Sequence, residues 1–198
     1  MSESTGVEPE LAVLGRDIAA QADQFIGALR GIARDAEPGQ AVPLLLLEIA
    51  QISLTGARLG AQRDVTPRQE FQPDVGPEAD FEDLRLRLAE LLGDLDTYSF
   101  VFDPYVPEVV DSQLSDDVVS VATDLENGLR HYRNGDVVEA LWWWQFSYLS
   151  SWGNLAGAAL NALLAVGTHD RLDSDDDLDA EAVAAADEML DEPAPERR

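Results

Sequence analysis

The residues with the clearest potential for chemistry form a polar stripe on an otherwise apolar segment. They are spaced three, four and three residues apart: Glu48, Gln51, Thr55 and Arg58. This spacing places all four on one side of a helix, where a carboxylate, an amide and a guanidinium could together bind a small polar ligand. An amphipathic helix also shows such a stripe where it faces solvent. The sequence therefore allows two interpretations, a binding groove lined by Glu48, Gln51 and Arg58 or an ordinary solvent-facing edge.

A second set of polar residues lies further along the chain, on two segments with helical periodicity. The set contains a histidine, a glutamate and a glutamine: His131, Glu139 and Gln145. If the helices that carry them pack against the helix of the Glu48 stripe, these groups could meet in one pocket beside Trp143. A small-ligand-binding protein or an enzyme would need such a pocket.

Familiar catalytic and metal-binding patterns are absent or incomplete. The acidic run that begins at Asp173 copies the first three ligand positions of an EF-hand loop, but Leu178 replaces the required glycine and Ala184 replaces the bidentate glutamate. The pair His169–Asp170 lies where the last helix meets an acidic tail, a poor place to hold a metal rigidly. No G-x-S-x-G elbow and no phosphate-binding glycine loop occur. The sequence therefore predicts no metal, cofactor or catalytic residue, and it favours a non-catalytic protein.

Composition restricts the partners. The 198-residue chain carries a formal charge of −26, its 13 basic residues are all arginine, and it has no cysteine. Such a charge repels nucleic acids and anionic lipids, whereas a basic protein would be attracted. The N-terminus lacks a signal peptide, and the longest apolar region, Ala156–Val166, is too short to span a bilayer. We therefore expect a cytoplasmic protein that binds neither nucleic acid nor membranes directly.

Hydrophobic periodicity predicts an all-α fold, a single-domain bundle of about five helices. The predicted helices cover about residues 9–34, 43–60, 81–95, 115–133 and 136–166. The bundle domain is expected to span residues 9–168, between a flexible N-terminus (1–8) and an acidic, disordered and mobile C-terminal tail (169–198).

Local signals define how the last two helices are joined. Ser115 is expected to cap the fourth helix, and Asp136 with Glu139 is expected to form a capping box on the fifth. The short connection Asn134–Gly135 predicts an antiparallel αα-hairpin.

The fifth predicted helix contains all four tryptophans of the chain: Trp142, Trp143, Trp144 and Trp152. Apolar side chains cover most of its circumference. A helix of this type must be enclosed by other helices or covered by a partner, because so much exposed aromatic surface would cause association in water. We therefore expect this tryptophan-rich helix at the centre of the bundle.

An aromatic segment separates the third and fourth predicted helices. It contains Tyr98, Phe102, Asp103 and Tyr105 and is broken by two prolines, so we predict a loop at 98–107. Such a loop can cover the core or present a binding surface to a partner.

Several of these motifs together resemble a bacterial family. They are Pro43-Leu-Leu-Leu-Leu-Glu48, Arg58-Leu-Gly60, Phe102-Asp-Pro-Tyr105, His131-Tyr-Arg-x-Gly135 and Glu139-Ala-Leu-Trp-Trp-Trp-Gln-Phe-Ser-Tyr148. The family is called domain of unknown function 5063, and the resemblance covers roughly residues 10–168. It implies a small, cytosolic, all-helical protein without an established activity, whose genes lie near those for DNA recombination or repair. It supplies no catalytic residues.

The sequence is compatible with three classes of function. The leading one is a protein–protein interaction or accessory module that presents a groove or the aromatic loop to another protein. The second is a small-ligand-binding protein or enzyme with a polar pocket around Glu48 and Arg58. The third is a structural homo-oligomer whose surplus aromatic residues pair across a dimer.

Overall fold

Five α-helices and one β-hairpin make up the part of the chain that the computed structural model describes, residues 8–67 and 75–169. The helices are α1 (Pro9–Asp35), α2 (Pro38–Gly60), α3 (Glu82–Leu92, followed by a 3-10 turn at Gly93–Leu95), α4 (Leu114–Arg133) and α5 (Val137–His169). The strands are β1 (Thr97–Asp103) and β2 (Val106–Gln113). The predicted helical bundle is confirmed, and the hairpin is an addition to it.

The hydrophobic core lies where α1, α2, α4 and α5 meet, and α3 packs against α1 and α4. Its fully buried side chains include Phe25 on α1, Ile49 on α2, Leu88 on α3, Leu125 on α4 and Trp144 on α5. Each helix therefore contributes an apolar stripe of helical period to a single core.

The tryptophan-rich helix α5 is central in that it contacts α1, α2 and α4. It is regular at Val137–Ser147, contains a π-helical turn at Tyr148–Trp152 and continues as an α-helix to His169. Trp144 is fully buried, but Trp143 is only partly buried and Phe146 is exposed. The expectation that neighbouring helices enclose α5 nearly all round is therefore wrong for one side of it.

Glycines opposite the large aromatic residues allow the helices to approach. A side chain on Gly128 of α4 would overlap the indole of Trp144. The indole Nε1 of Trp144 donates a 2.9 Å hydrogen bond to the carbonyl oxygen of Leu125. Gly56 of α2 similarly faces Trp152, so the aromatic rings of α5 fill spaces that only glycine leaves open.

The predicted loop at 98–107 is instead the antiparallel hairpin of β1 and β2. Thr97 pairs with Gln113 and Val101 with Val109, and the ladder becomes irregular between Val101 and Asp103. Alternating aromatic residues favour a strand in β1, where the rings of Tyr98 and Phe100 stack at 5.6 Å. The two prolines are tolerated because Pro104 lies in the turn and Pro107 in a strand at the edge of the sheet.

The expected caps of α4 and α5 do not form as predicted. Ser115 lies inside α4, and Asp96 accepts bonds from both its backbone N–H (2.7 Å) and its hydroxyl (2.8 Å). Asp136 precedes α5 but makes no side-chain capping bond, because its carboxylate accepts from the side-chain amide of Asn134 at 2.8 Å. The tight turn between the helices is confirmed, with Gly135 at a φ of 89°.

Two of the described helices are long and apolar enough to cross a membrane by length and composition, α2 and α5. Core helices of water-soluble proteins meet the same criterion; here 39% of the apolar window of α2 and 22% of that of α5 are buried in the described structure. The predicted flexible N-terminus, apart from Glu8, lies outside the described residues. The acidic tail after His169, with its EF-hand-like run, also lies outside them.

Candidate functional site

The base of the hairpin is fixed to the bundle by buried acidic residues. The hydroxyl of Tyr98 donates a 2.6 Å hydrogen bond to Oδ2 of Asp117 on α4. Asp117 and Asp96 are both buried, and Asp96 binds Ser115 at the start of the same helix. Burial is the main cause that raises the pKa of Asp117, and burial also raises the pKa of Tyr98. The hairpin therefore projects from a rigid base.

Beyond this base the hairpin is an exposed apolar surface. Phe102 is 46% exposed, Tyr105 94% and Val109 72%. The carboxylate of Asp103 accepts a 2.8 Å hydrogen bond from the backbone N–H of Tyr105, which holds the turn. Three of the predicted binding residues, Phe102, Asp103 and Tyr105, thus lie at the tip, and the idea that they cover the core is wrong for them.

A cleft of about 290 Å³ separates β1 from the C-terminal part of α5. On the strand side it is lined by four successive residues, Thr97–Phe100, and on the helix side mainly by small apolar residues, Ala158, Ala162, Ala165 and Val166, with Asn161. These four residues form the first half of β1, so the cleft lies beside the start of this strand. Among the described residues β1 pairs only with β2, so its other edge carries backbone groups without strand partners.

The sequence around the hairpin is strongly acidic. Between Arg87 and Arg130 the chain has ten acidic residues and no basic one. Five of the ten lie at or near the hairpin: Asp94, Asp96, Asp103, Glu108 and Asp111. The cleft therefore lies in a negative field that favours a cationic partner.

Gln145, a predicted binding residue, is committed to the fold. It is buried, and its amide nitrogen donates to the carbonyl oxygens of Leu59 at 3.0 Å and Arg63 at 3.2 Å. Its amide oxygen accepts a 2.7 Å hydrogen bond from the backbone N–H of Val65. Gln145 therefore ties the segment after α2 to α5.

His131, Glu139 and Trp143 form a buried polar group on the αα-hairpin. His131 is 5% exposed and Glu139 3%, and the rings of His131 and Trp143 lie 6.2 Å apart. Nδ1 of His131 and Nε1 of Trp143 are buried and have no hydrogen-bond partner among the described residues. Burial is the main cause that lowers the pKa of His131, so the neutral imidazole is favoured there.

The structure separates two residues of the groove predicted around Glu48 and Arg58. Glu48 and Gln51 face α1 across a gap that has no room for water, and burial raises the pKa of Glu48. Arg58 is exposed and does not line this gap. The structure brings together Glu139, His131 and Trp143, but it leaves Glu48 and Arg58 apart.

Two residues of the hairpin base were missed by the sequence analysis, Asp96 and Asp117. The available signal was the aromatic alternation Tyr98-x-Phe100-x-Phe102, which predicts a strand directly after Asp96 and before the helix that carries Asp117.

The fold is a small helical bundle with a β-hairpin inserted between its third and fourth helices. The model of the family described as a domain of unknown function (DUF5063) matches residues 12–169, and the chain belongs to this family. A solved structure with a similar fold is the crystal structure of protein BF1032 from Bacteroides fragilis, with a TM-score of 0.60 and 18% sequence identity over 75% of this chain and 89% of that chain. No curated protein matches the sequence.

Proposed function

We propose that the protein is a non-catalytic, cytoplasmic interaction module that binds an extended basic segment of another protein along the edge of β1. The observation that carries this proposal is the cleft between the start of β1 and α5, beside a two-stranded sheet in which β1 has one unpaired edge. An extended peptide can add a strand to such an edge, because the backbone groups supply hydrogen bonds of regular spacing.

The shape of the cleft supports an extended occupant. On the helix side, Ala158, Ala162 and Ala165 have small side chains that would face a third strand added beside β1. Side chains of the added strand that point toward α5 would bury apolar area against these alanines. The exposed Phe102 and Val109 extend the apolar surface toward the tip of the hairpin.

The charge supports a basic partner over a second copy of the chain. Two copies that paired by their hairpins would bring Asp103, Glu108 and Asp111 of both chains close together. Neither hairpin has a basic residue that could offset this charge. Like charges across strands are destabilising. A basic segment would gain the same backbone bonds and also neutralise the acidic surroundings. A role beside DNA recombination or repair would be exerted through such a protein, since the charge of the chain repels DNA.

The experiment fills the cleft without disturbing the core. Ala165 is exposed and lines the cleft, so Ala165→Trp blocks it, whereas Ala50→Trp makes the same change at an exposed position on α2. Tagged wild-type protein and both variants are incubated with extract of the source cells, and retained proteins are quantified by mass spectrometry. We expect a basic protein that wild type and Ala50→Trp retain and that Ala165→Trp retains at least about tenfold less.

The dependence of retention on ionic strength and the oligomeric state of the protein complete the test. The retention should decrease steeply as ionic strength rises, because the proposed attraction is between exposed charges. A synthetic peptide from the retained protein should then bind the wild-type protein. It should also compete with the retained protein for this binding. The proposal is abandoned if Ala165→Trp and Ala50→Trp retain the same proteins to the same extent. It is also abandoned if light scattering shows a wild-type dimer that Ala165→Trp converts to a monomer, because a second copy is then the occupant.

A further inference from the structure

We propose that a second cleft, between α1 and α3, binds a small organic anion, a phosphate ester or carboxylate that also carries hydroxyl or amino groups. The cleft has a volume of about 410 Å³, and Arg30, Arg34 and Arg87 line it from two helices. This volume lies in the range of small-molecule sites in proteins. The cleft shares no residue with the cleft beside β1, so the two proposals are independent.

The arginines of the chain are concentrated at this place. Nine of them lie among the described residues, and three of these nine line one cleft in a chain with a net charge of −26. Arg30 and Arg34 are one turn apart on α1, so their charges repel each other unless an anion lies between them. A bound anion would convert that repulsion into shared attraction.

Arg30 is already oriented for binding. Its Cζ lies 5.5 Å from the centroid of the Phe81 ring, and Phe81 is buried. This cation–π contact with a buried ring favours the observed position of the guanidinium, and its N–H groups stay available at the edge. In the part of the chain that is described, other arginines form ion pairs with carboxylates, whereas Arg30 forms none.

The other two arginines are held only by exposed local pairs. Arg34 lies 2.7 Å from the carboxylate of Asp35, and Arg87 lies 3.2 Å from that of Glu90. All four side chains are largely exposed, so these pairs contribute little in water and a ligand can replace them. Guanidinium groups bind phosphate and carboxylate through two parallel hydrogen bonds, which suits a ligand held by several arginines.

Two acidic residues in the cleft define the remainder of the ligand. Asp80 accepts a 3.0 Å hydrogen bond from the backbone N–H of Glu82 at the start of α3, and Asp83 lines the cleft beside it. These carboxylates would repel a ligand that carries anionic groups on all sides, but they can accept hydrogen bonds from hydroxyl or amino groups. A nucleic-acid strand is excluded because it would cross the negative field of the rest of the chain. A small molecule with one anionic end fits.

The test uses the arginine side-chain Nε–Hε signals in NMR spectra of the full-length protein, since 13 arginines give few signals to assign. The probes are glycerol 3-phosphate and malate, with sodium chloride at matched ionic strength as the reference. We expect at least one probe to shift the Arg30 signal saturably, with a dissociation constant below about 1 mM. Binding of the ester alone or of the carboxylate alone would identify the anionic group.

Matched variants separate binding in the cleft from a general effect of charge. Arg87 and Arg58 are both exposed, and only Arg87 lines the cleft. Arg87→Gln should weaken binding by about tenfold or more, whereas Arg58→Gln, with the same loss of charge, should change it less than about twofold. The proposal is overturned if neither probe shifts the Arg30 signal beyond the sodium chloride reference at about 10 mM, a concentration above that of weak specific sites. Equal weakening by both variants would overturn it as well.

Discussion

The hydroxyl group of Tyr98 on β1 donates a 2.6 Å hydrogen bond to the carboxylate of Asp117 on α4, and this bond joins the hairpin to the bundle. A two-stranded hairpin is marginally stable in water by itself. The bond between Tyr98 and Asp117, together with the packing of the Tyr98 ring on the core, therefore decides whether the edge of β1 is presented in one orientation.

Tyr98→Phe removes the hydroxyl and keeps the ring. Because a partly buried hydrogen bond to a carboxylate is lost, we expect the free energy of unfolding to decrease by about 1–2 kcal/mol. Amide hydrogen exchange should accelerate in β1 and β2 more than in the helices. Tyr105→Phe is the matched control, since Tyr105 is 94% exposed, and it should leave exchange unchanged. Uniform acceleration in all elements would contradict the anchoring role of Tyr98.

The second prediction concerns pH. Burial is the main cause that raises the pKa of Asp117, while the hydrogen bonds from Tyr98 and Ser112 lower it. A carboxyl whose pKa is raised by folding contributes stability that is fully present below its unfolded value, about 3.9. That contribution is lost as the pH rises through the raised folded value.

Asp117→Asn keeps a hydrogen-bond acceptor and removes the buried charge. We therefore expect the loss of stability between about pH 3.5 and pH 7 to be smaller in this variant than in wild type, as measured by urea denaturation at both pH values. Glu108→Gln, on the exposed strand β2, makes the same change of net charge and controls for general repulsion. An identical pH dependence for wild type and Asp117→Asn would disprove the effect of burial at Asp117.

The third prediction tests the close packing of α4 on α5. A Cβ atom on Gly128 would overlap the indole of Trp144 and displace its Nε1 from Leu125. We expect Gly128→Ala to lower the free energy of unfolding by about 3 kcal/mol. Gly157→Ala on α5 meets no atom within 4 Å and should instead raise it by about 0.5–1 kcal/mol. Thermal and urea unfolding measure both, and equal effects would contradict the packing of Trp144 on Gly128.

The fourth prediction concerns the segment after α2, which Gln145 holds by bonds to Leu59, Arg63 and Val65. Gln145→Leu removes all three bonds, so trypsin should cleave after Arg63 faster than in wild type. Gln145→Glu keeps an acceptor for the N–H of Val65 and loses the donors, and it should give an intermediate rate. Cleavage rates that do not differ among the three proteins would show that other contacts hold this segment.

The helices were predictable because their apolar residues recur at helical spacing and each helix buries one stripe. The hairpin was not, because two prolines near Tyr105 indicate a loop more strongly than the alternation of Tyr98, Phe100 and Phe102 indicates a strand. Its stability depends on Asp117, and no local pattern shows that contact. Which side of α5 stays exposed likewise depends on how the other helices are arranged.

The polar stripe of α2 shows why the site was harder to predict than the fold. Each helical residue advances about 100°, so Arg58 lies about 80° around the helix from Glu48 although each step between them is three or four residues. Glu48 consequently turns toward α1 while Arg58 is exposed. Gln145 was expected to line a ligand pocket, but its hydrogen-bond partners are backbone groups of the chain itself. Such tertiary partners cannot be inferred from spacing along one helix.

The central claim is that the edge of β1 and the facing side of α5 form the docking surface for a basic segment. Amide hydrogen exchange of the protein, with and without the peptide of the partner retained in the capture experiment, tests it most directly. The account predicts that exchange slows at residues 97–103 and in the cleft-facing turns of α5, and that Ala165→Trp abolishes the slowing. Protection confined to α1 and α2 with β1 unchanged would contradict it.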